Sequence, residues 1–217
     1  MRTNQEYKNA SLASLKGNWA PAVVATIVYV LLALICTQGS QLSAFFHFSP
    51  GMLMTVTGAS LVLVFFVFSP VVIGYVNSFR KLYEEADNDI VHNMFTIPSG
   101  NYLHIVFVYF LMTVKVLLWS LLLIVPGIIK SFSYAMTPYI AVEHPEYSAS
   151  EVIRASSEMM RGHKFDLFWL YLSFIGWFFL AILTCGIGFF WLEPYLATAQ
   201  ASFYNDLKRD IPCQTAE

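Results

Sequence analysis

Residues 121–140 read LLLIVPGIIKSFSYAMTPYI, an almost wholly apolar stretch with Pro126-Gly127 in its middle and Lys130 three residues later. The run that contains it extends from Tyr102 to Val142, 41 residues. As continuous helix that would measure roughly 60 Å, twice the ~30 Å hydrocarbon core of a bilayer. One helix is too long for the membrane. Pro126 has no amide hydrogen to give to a helical ladder and Gly127 tolerates a tight reversal, so the run divides there into a helical hairpin. Gly186 and Gly188, within Cys185-Gly186-Ile187-Gly188, mark a second reversal of the same kind.

The rest of the chain has the same character. Of its 217 residues 57% are hydrophobic and 12% charged, and the mean hydropathy is +0.60. Soluble domains carry about a quarter charged residues, so a bilayer is the indicated solvent. A net charge of −2 gives no case for nucleic acid, which would want a basic face. Three scattered cysteines form neither a disulfide framework nor a CxxC metal site. The first apolar run, from Trp19, is long for a signal peptide and is read as a retained span.

Six apolar runs follow, at about 19–37, 52–76, 102–125, 128–142, 165–183 and 189–203. The expected fold is an all-α membrane protein: six transmembrane helices as three helical hairpins, plus amphipathic interfacial helices. Charge tests that count. Ten of the twelve Lys and Arg residues fall before span one, after span two, between spans four and five, or after span six, while the connections after spans one, three and five carry none. The positive-inside rule then puts both termini in the cytoplasm, and a reporter after Gln41 should read as external.

A weak repeat accompanies the spans. Lys16-Gly17-Asn18-Trp19, Ser99-Gly100-Asn101-Tyr102 and Arg161-Gly162-His163-Lys164 each enter an odd span. Before the third of these, Ser148 and Glu151 have capping-box spacing and Gly162 suits a C-cap, which predicts a helix over 148–162. Val152, Ile153, Ser156, Met159 and Met160 share one face of it, and Glu151, Arg154, Glu158 and Arg161 the other. Such a helix lies along the cytoplasmic interface, either docking a protein partner or simply packing beneath the bundle.

Ionisable groups inside a membrane cost a few kcal/mol and point to function by default. Lys130 and Glu193 both fall near the outer end of an even-numbered span, so they are candidates for an ion pair that lines a binding cavity or bridges two hairpins; alternatively each reaches separately to the surface. Lys115 lies deeper, in mid-span. The acidic run Glu84-Glu85-Ala86-Asp87-Asn88-Asp89 lacks the glycine and terminal glutamate of a calcium loop, and the histidines lack metal-ligand spacing. No P-loop, GxGxxG or GxSxG motif occurs, so no metal or cofactor is expected.

The stretch Pro126-Gly127-Ile128-Ile129-Lys130-Ser131-Phe132-Ser133-Tyr134-Ala135-Met136 resembles the signature of an uncharacterised bacterial integral membrane family, number 975 among domains of unknown function. Also similar are His144-Pro145-Glu146-Tyr147-Ser148-Ala149, Met160-Arg161-Gly162-His163-Lys164, Leu172-Ser173-Phe174-Ile175-Gly176-Trp177, and Pro194-Tyr195 followed by Phe203-Tyr204. The likeness is dense from about Trp119 to Leu207, with Asp166 and Cys185 departing from the pattern. It implies a multi-span protein of the bacterial inner membrane, distantly similar to the membrane domain attached to some glycerophosphodiester phosphodiesterases, and it brings no assigned activity. Two functions are expected ahead of an enzyme. One is an accessory or scaffolding protein acting through the 148–162 helix. The other is a small transporter or a lipid- or amphiphile-binding protein using Lys130, Glu193 and Lys115.

Overall fold

The computed structural model of the chain describes residues 2–37, 49–96 and 102–210, and every element in them is helical. In order they are α1 (Asn4–Leu15), α2 (Trp19–Thr37), α3 (Pro50–Leu63), a π-helical turn (Val64–Phe68), α4 (Ser69–Glu85), α5 (Ile90–Phe95), α6 (Tyr102–Leu122), α7 (Ile124–Ser133), α8 (Thr137–Glu143), α9 (Ala149–Met159), α10 (Lys164–Leu172), α11 (Ile175–Leu183) and α12 (Phe189–Asp210). The region after α2, including Gln41, and most of the Ser99–Tyr102 tetrad lie outside the described residues.

Among the described residues, four stretches are long and apolar enough to cross a membrane: Trp19–Cys36, Gly51–Glu85, Tyr102–Leu122 and Lys164–Leu183. Their outward faces are apolar. On α2, Val24, Ile27, Leu31, Leu34 and Ile35 recur at helical spacing and are all exposed, as are Leu103, Phe107, Phe110, Leu117 and Leu121 on α6. Continuous exposed apolar stripes of this kind fit lipid rather than water.

The remaining two apolar runs behave differently. The run at 128–142 is interrupted by a turn at 134–136, because Pro138 suits the opening of α8 and not the interior of a longer helix. The run at 189–203 belongs to α12, whose large apolar side chains are covered by protein; of them only Trp191 is exposed. α12 packs against α1, α2, α4 and α11 and is the axial helix of the assembly. A helix covered by protein needs no lipid-facing surface, which is why it can carry Thr198, Gln200, Ser202, Asn205 and Asp206.

The reversal expected at Pro126-Gly127 occurs slightly earlier, at Leu123, whose backbone is extended (φ −160°, ψ 139°). Proline is tolerated in a first helical turn, where its missing amide hydrogen would have no partner, so Pro126 helps open α7 instead of ending α6. Gly127 lets the two helices close: a Cβ there would lie 2.7 Å from the Ser120 Cα. At the second reversal Cys185 and Gly186 take left-handed conformations (φ 54° and 88°), and a Cβ on Gly188 would come within 2.7 Å of the Ala181 Cα. Gly188 also lines a cavity of about 350 Å³ together with Leu12, Trp19 and Trp191. That places the 185–188 turn beside the start of α2, although charge alternation alone assigns the two to opposite sides.

The repeat has a structural counterpart. α1 and α9 each open on a complete capping box, Thr3 with Glu6 and Ser148 with Glu151. Each is followed, eleven residues after its glutamate, by a glycine with φ 89°, Gly17 and Gly162. Beyond the glycines, Ala22 and Ala25 of α2 correspond to Leu167 and Leu170 of α10 and to Ile105 and Val108 of α6, and all six are buried. The helix expected over 148–162 is therefore α9. Its apolar face (Val152, Ile153, Ser156) is covered by α6 and α8, and the Ser156 hydroxyl donates to the Ser133 carbonyl at 3.0 Å.

Two tests follow from the caps. Ser148→Ala removes a side-chain acceptor for the Glu151 amide and is expected to cost about 1 kcal/mol, read as a lower midpoint in thermal unfolding; an unchanged midpoint would deny the cap a stabilising part. Backbone and side-chain hydrogen bonds from Thr3 hold the Glu6 carboxyl below the usual carboxylate range, and the Ser148 side chain and backbone do the same for Glu151. A carboxyl held below its unfolded-state value stabilises fully above that value and loses the contribution as pH falls through the folded one. The starts of α1 and α9 should fray before other described helix ends between neutral pH and about pH 3, where carboxylates titrate. Amide hydrogen exchange at residues 4–6 and 149–151 checks this, and unchanged protection would contradict it.

Candidate functional site

Lys130, Lys115 and Glu193 make no ion pair with one another among the described residues. Lys130, on α7, places its Nζ 5.0 Å from the centroid of the Trp119 ring and 5.9 Å from that of Tyr134, so its charge rests on aromatic faces at the α6–α7 hairpin. Lys115 is half-buried on α6. Among the described residues neither lysine makes an ion pair with Glu193. Trp119 and Tyr134 thus take the place of the carboxylate that sequence position suggested for Lys130.

Glu193 lies near the start of α12, next to Pro194, and is half-buried with no hydrogen-bond or ion-pair partner among the described residues. Three tyrosines from three other helices are within electrostatic reach of it: Tyr29 of α2, Tyr75 of α4 and Tyr171 of α10. Their orientation is set by contacts of their own. Tyr29 and Tyr75 stack with centroids 4.6 Å apart, and Tyr75 Oη lies 2.9 Å from Thr26 Oγ1. The Tyr171 hydroxyl donates to Gln200 Oε1 at 3.0 Å, while Gln200 Nε2 donates to the Ala135 carbonyl at 3.2 Å. Because Pro194 has no amide hydrogen, the Phe190 carbonyl also lacks its normal helical donor. The result is a group of hydroxyls, one amide and one carboxyl on α2, α4, α10 and α12, helices that pack on one another. A carboxylate without a counter-charge among the described residues can hold one positive charge.

A second polar cluster organises the ends of the helices. Arg80 of α4 donates through Nη1 to Glu84 and, at 2.8 Å, to Glu143 Oε1 at the end of α8, and through Nε to Asn77 Oδ1 at 3.0 Å. The other oxygen of Glu143 accepts from the Tyr204 hydroxyl at 2.8 Å and from Lys208 Nζ at 2.9 Å, both on α12. Alongside, the Tyr7 hydroxyl donates to Asp206 at 3.0 Å, and Arg2 pairs with Asp206 and donates to Tyr83. Burial, then the bond to Asp206, pushes the Tyr7 phenol well above its ordinary value. The N-terminal helix and the ends of α4, α8 and α12 are thereby tied at one place.

Sequence reasoning singled out none of Tyr29, Tyr75, Tyr171, Arg80 or Glu143 as a site residue. One signal was present. Tyr109 and Tyr171 each follow the glycine of their repeat by nine residues, as Thr26 follows Gly17. Aligned repeats would have brought hydroxyl-bearing side chains to one level of the odd helices.

Cys36 is buried and Cys185 exposed, and both are free thiols. No curated protein and no solved structure matches the chain. Residues 121–210, which run from the α6–α7 hairpin to the end of α12 and include Lys130, Glu143 and Glu193, match the model of a family described as "Protein of unknown function (DUF975)".

Proposed function

We propose that the chain is a multi-pass protein of the bacterial cytoplasmic membrane, with no chemistry of its own, that binds an amphiphile through a positively charged head group at Glu193. The observation that carries this reading is the Glu193 carboxyl, set among Tyr29, Tyr75 and Tyr171 without a counter-charge. An ionisable group in the apolar region of a membrane protein is costly and is retained where it meets a ligand or a pathway. Tyrosine rings are also favourable neighbours for an organic cation. The convergence of Arg2, Arg80, Glu143, Asp206 and Lys208 supports one common, cytoplasmic side for both termini.

Dodecylamine is the probe. The purified chain should be stabilised by it in thermal unfolding, and Glu193→Gln should weaken the effective affinity at least tenfold while preserving the elution profile. Equal stabilisation of both proteins, or of neither, would remove Glu193 as the site.

Scaffolding through α9 remains a second reading, favoured by the exposed Arg154 and Glu158, whose side chains are 70% and 62% accessible. With the apolar face of α9 covered, any partner would have to recognise these charges. Arg154→Glu should then release a co-purifying protein and leave the dodecylamine response intact; retention of that protein would eliminate this docking surface.

A further inference from the structure

A cavity of about 350 Å³ lies where α11 and the start of α12 meet the start of α2, and its wall carries four aromatic side chains. They are Trp19 of α2, Trp177 of α11, and Trp191 and Tyr195 of α12. The volume is at the lower end of the roughly 300–1,000 Å³ range of small-molecule sites, which suits a compact group. The rings are within reach of a ligand. Trp177 and Trp191 are 52% and 50% exposed, while Tyr195 is buried. The Trp177 and Tyr195 rings stand at 84° with centroids 6.4 Å apart, so they form adjoining walls at nearly a right angle. Phe174 braces Tyr195 in turn, at 4.8 Å.

An aromatic face attracts a cation, tryptophan most strongly, and several faces around one space add their attractions. The cluster already carries one cation. Lys8 Nζ lies 4.6 Å from the centroid of Phe174, the ring next to Tyr195, and donates to the Ser173 carbonyl at 2.6 Å. An ammonium with N–H groups needs such an acceptor. The cavity wall, by contrast, is almost wholly apolar. Its Thr184 hydroxyl is committed to the turn, donating to the Ala181 carbonyl at 2.8 Å and accepting from the Gly188 amide at 2.9 Å. Indole N–H groups donate and do not accept. No lysine or arginine lines the cavity, so an anion would find ring faces of the wrong sign.

We infer that this aromatic box holds a quaternary ammonium group, a trimethylammonium head in particular. Such a group has a positive charge and no N–H to satisfy, so rings alone can replace its water. Glu193 does not line the box, and the inference is independent of the amine site built on it.

The test titrates the full chain in dodecylmaltoside with choline, with dihexanoyl phosphatidylcholine and with 3,3-dimethylbutan-1-ol, the uncharged isostere of choline. Intrinsic tryptophan fluorescence is the readout. A saturable change is expected with at least one of the two quaternary ligands, at least tenfold tighter than with the isostere. A response to choline identifies a soluble ligand, and a response to the phospholipid alone identifies a lipid head. Trp177→Leu keeps apolar bulk and should weaken binding at least tenfold. Trp169→Phe, at an exposed tryptophan of α10 outside the box, should bind like the wild type. Glu193→Gln should also bind like the wild type while losing its response to dodecylamine, so the two sites fail separately. Equal affinity for the isostere would overturn the inference and leave a merely apolar cavity. Absence of a saturable response to both quaternary ligands would overturn it as well, as would equal losses in Trp177→Leu and Trp169→Phe or undiminished binding by a Trp177→Leu protein of unchanged elution profile.

Discussion

Replacing Glu143 by alanine is expected to lower the stability of the protein by about 3 kcal/mol, the cost of breaking a buried ion pair from one side. The Glu143 side chain is 10% accessible, as is that of its partner Arg80. Both carboxylate oxygens are in use, one by Arg80 and the other by Tyr204 and Lys208. Its removal leaves Arg80 with only Glu84 and Asn77, takes away the acceptor of the Tyr204 hydroxyl, and breaks the polar ties of α8 to α4 and α12. Glu84→Ala should cost much less, because Glu84 lies on the same helix as Arg80 and joins no second element. In thermal unfolding, 3 kcal/mol corresponds to a midpoint lower by about 6 to 12 °C for a chain of this size. Arg80→Met combined with Glu143→Leu should recover only part of the loss, since the buried Arg80–Glu143 pair is then replaced by apolar groups while Glu84 loses its partner. If Glu143→Ala unfolds within a degree of the wild type, the cluster does not tie the helices together.

Gly74→Val should be comparably damaging, for a steric reason. Gly74 is buried on α4 where α5 crosses it, and a Cβ there would lie 2.9 Å from the Met94 carbonyl carbon and closer still to its oxygen. The obstruction is backbone, which cannot rotate away as a side-chain tip can. α5 would have to move, taking with it Ile90 and Met94, both fully buried. Overpacking usually costs 1–3 kcal/mol, and displacement of a helix puts this case at about 3 kcal/mol. Gly176→Ala gives the contrasting sign. A Cβ at Gly176 meets nothing within 4 Å, so alanine's better helix propensity should add roughly 0.5–1 kcal/mol. Opposite shifts in urea or thermal midpoints for the two variants would establish that contact with α5 decides the matter. A Gly74→Val protein as stable as the wild type would show that α5 is not seated against α4.

Much of the helical plan was legible from residues 121–140 outward. Capping boxes and left-handed glycines are local devices, satisfied within a few residues of the chain, so Ser148, Glu151 and Gly162 behave as their spacing indicates. The apolar character of the long helices was equally plain, because exposed apolar stripes on α2 and α6 are written directly as runs of apolar residues. Pro126 was less informative. Proline is compatible with a helix start as well as a helix end, and which one applies here depends on how α7 packs against α6. The Lys130–Glu193 pairing failed to form for a related reason. Sequence position suggested similar depth for the two residues but could not say which way each side chain points, and Trp119 and Tyr134 are the groups that Lys130 meets.

The sequence by itself determined that the chain is helical, with helices long and apolar enough to cross a membrane, and where most helices start and stop, because hydrophobicity, capping and backbone freedom act over single turns. Only the tertiary structure decided that α12 is a covered axis rather than a lipid-facing span, and that Glu193 stands within electrostatic reach of Tyr29, Tyr75 and Tyr171. Those arrangements join residues tens to more than a hundred positions apart. Their energies arise when distant surfaces exclude lipid and water from one another, and no local pattern encodes which surfaces will meet.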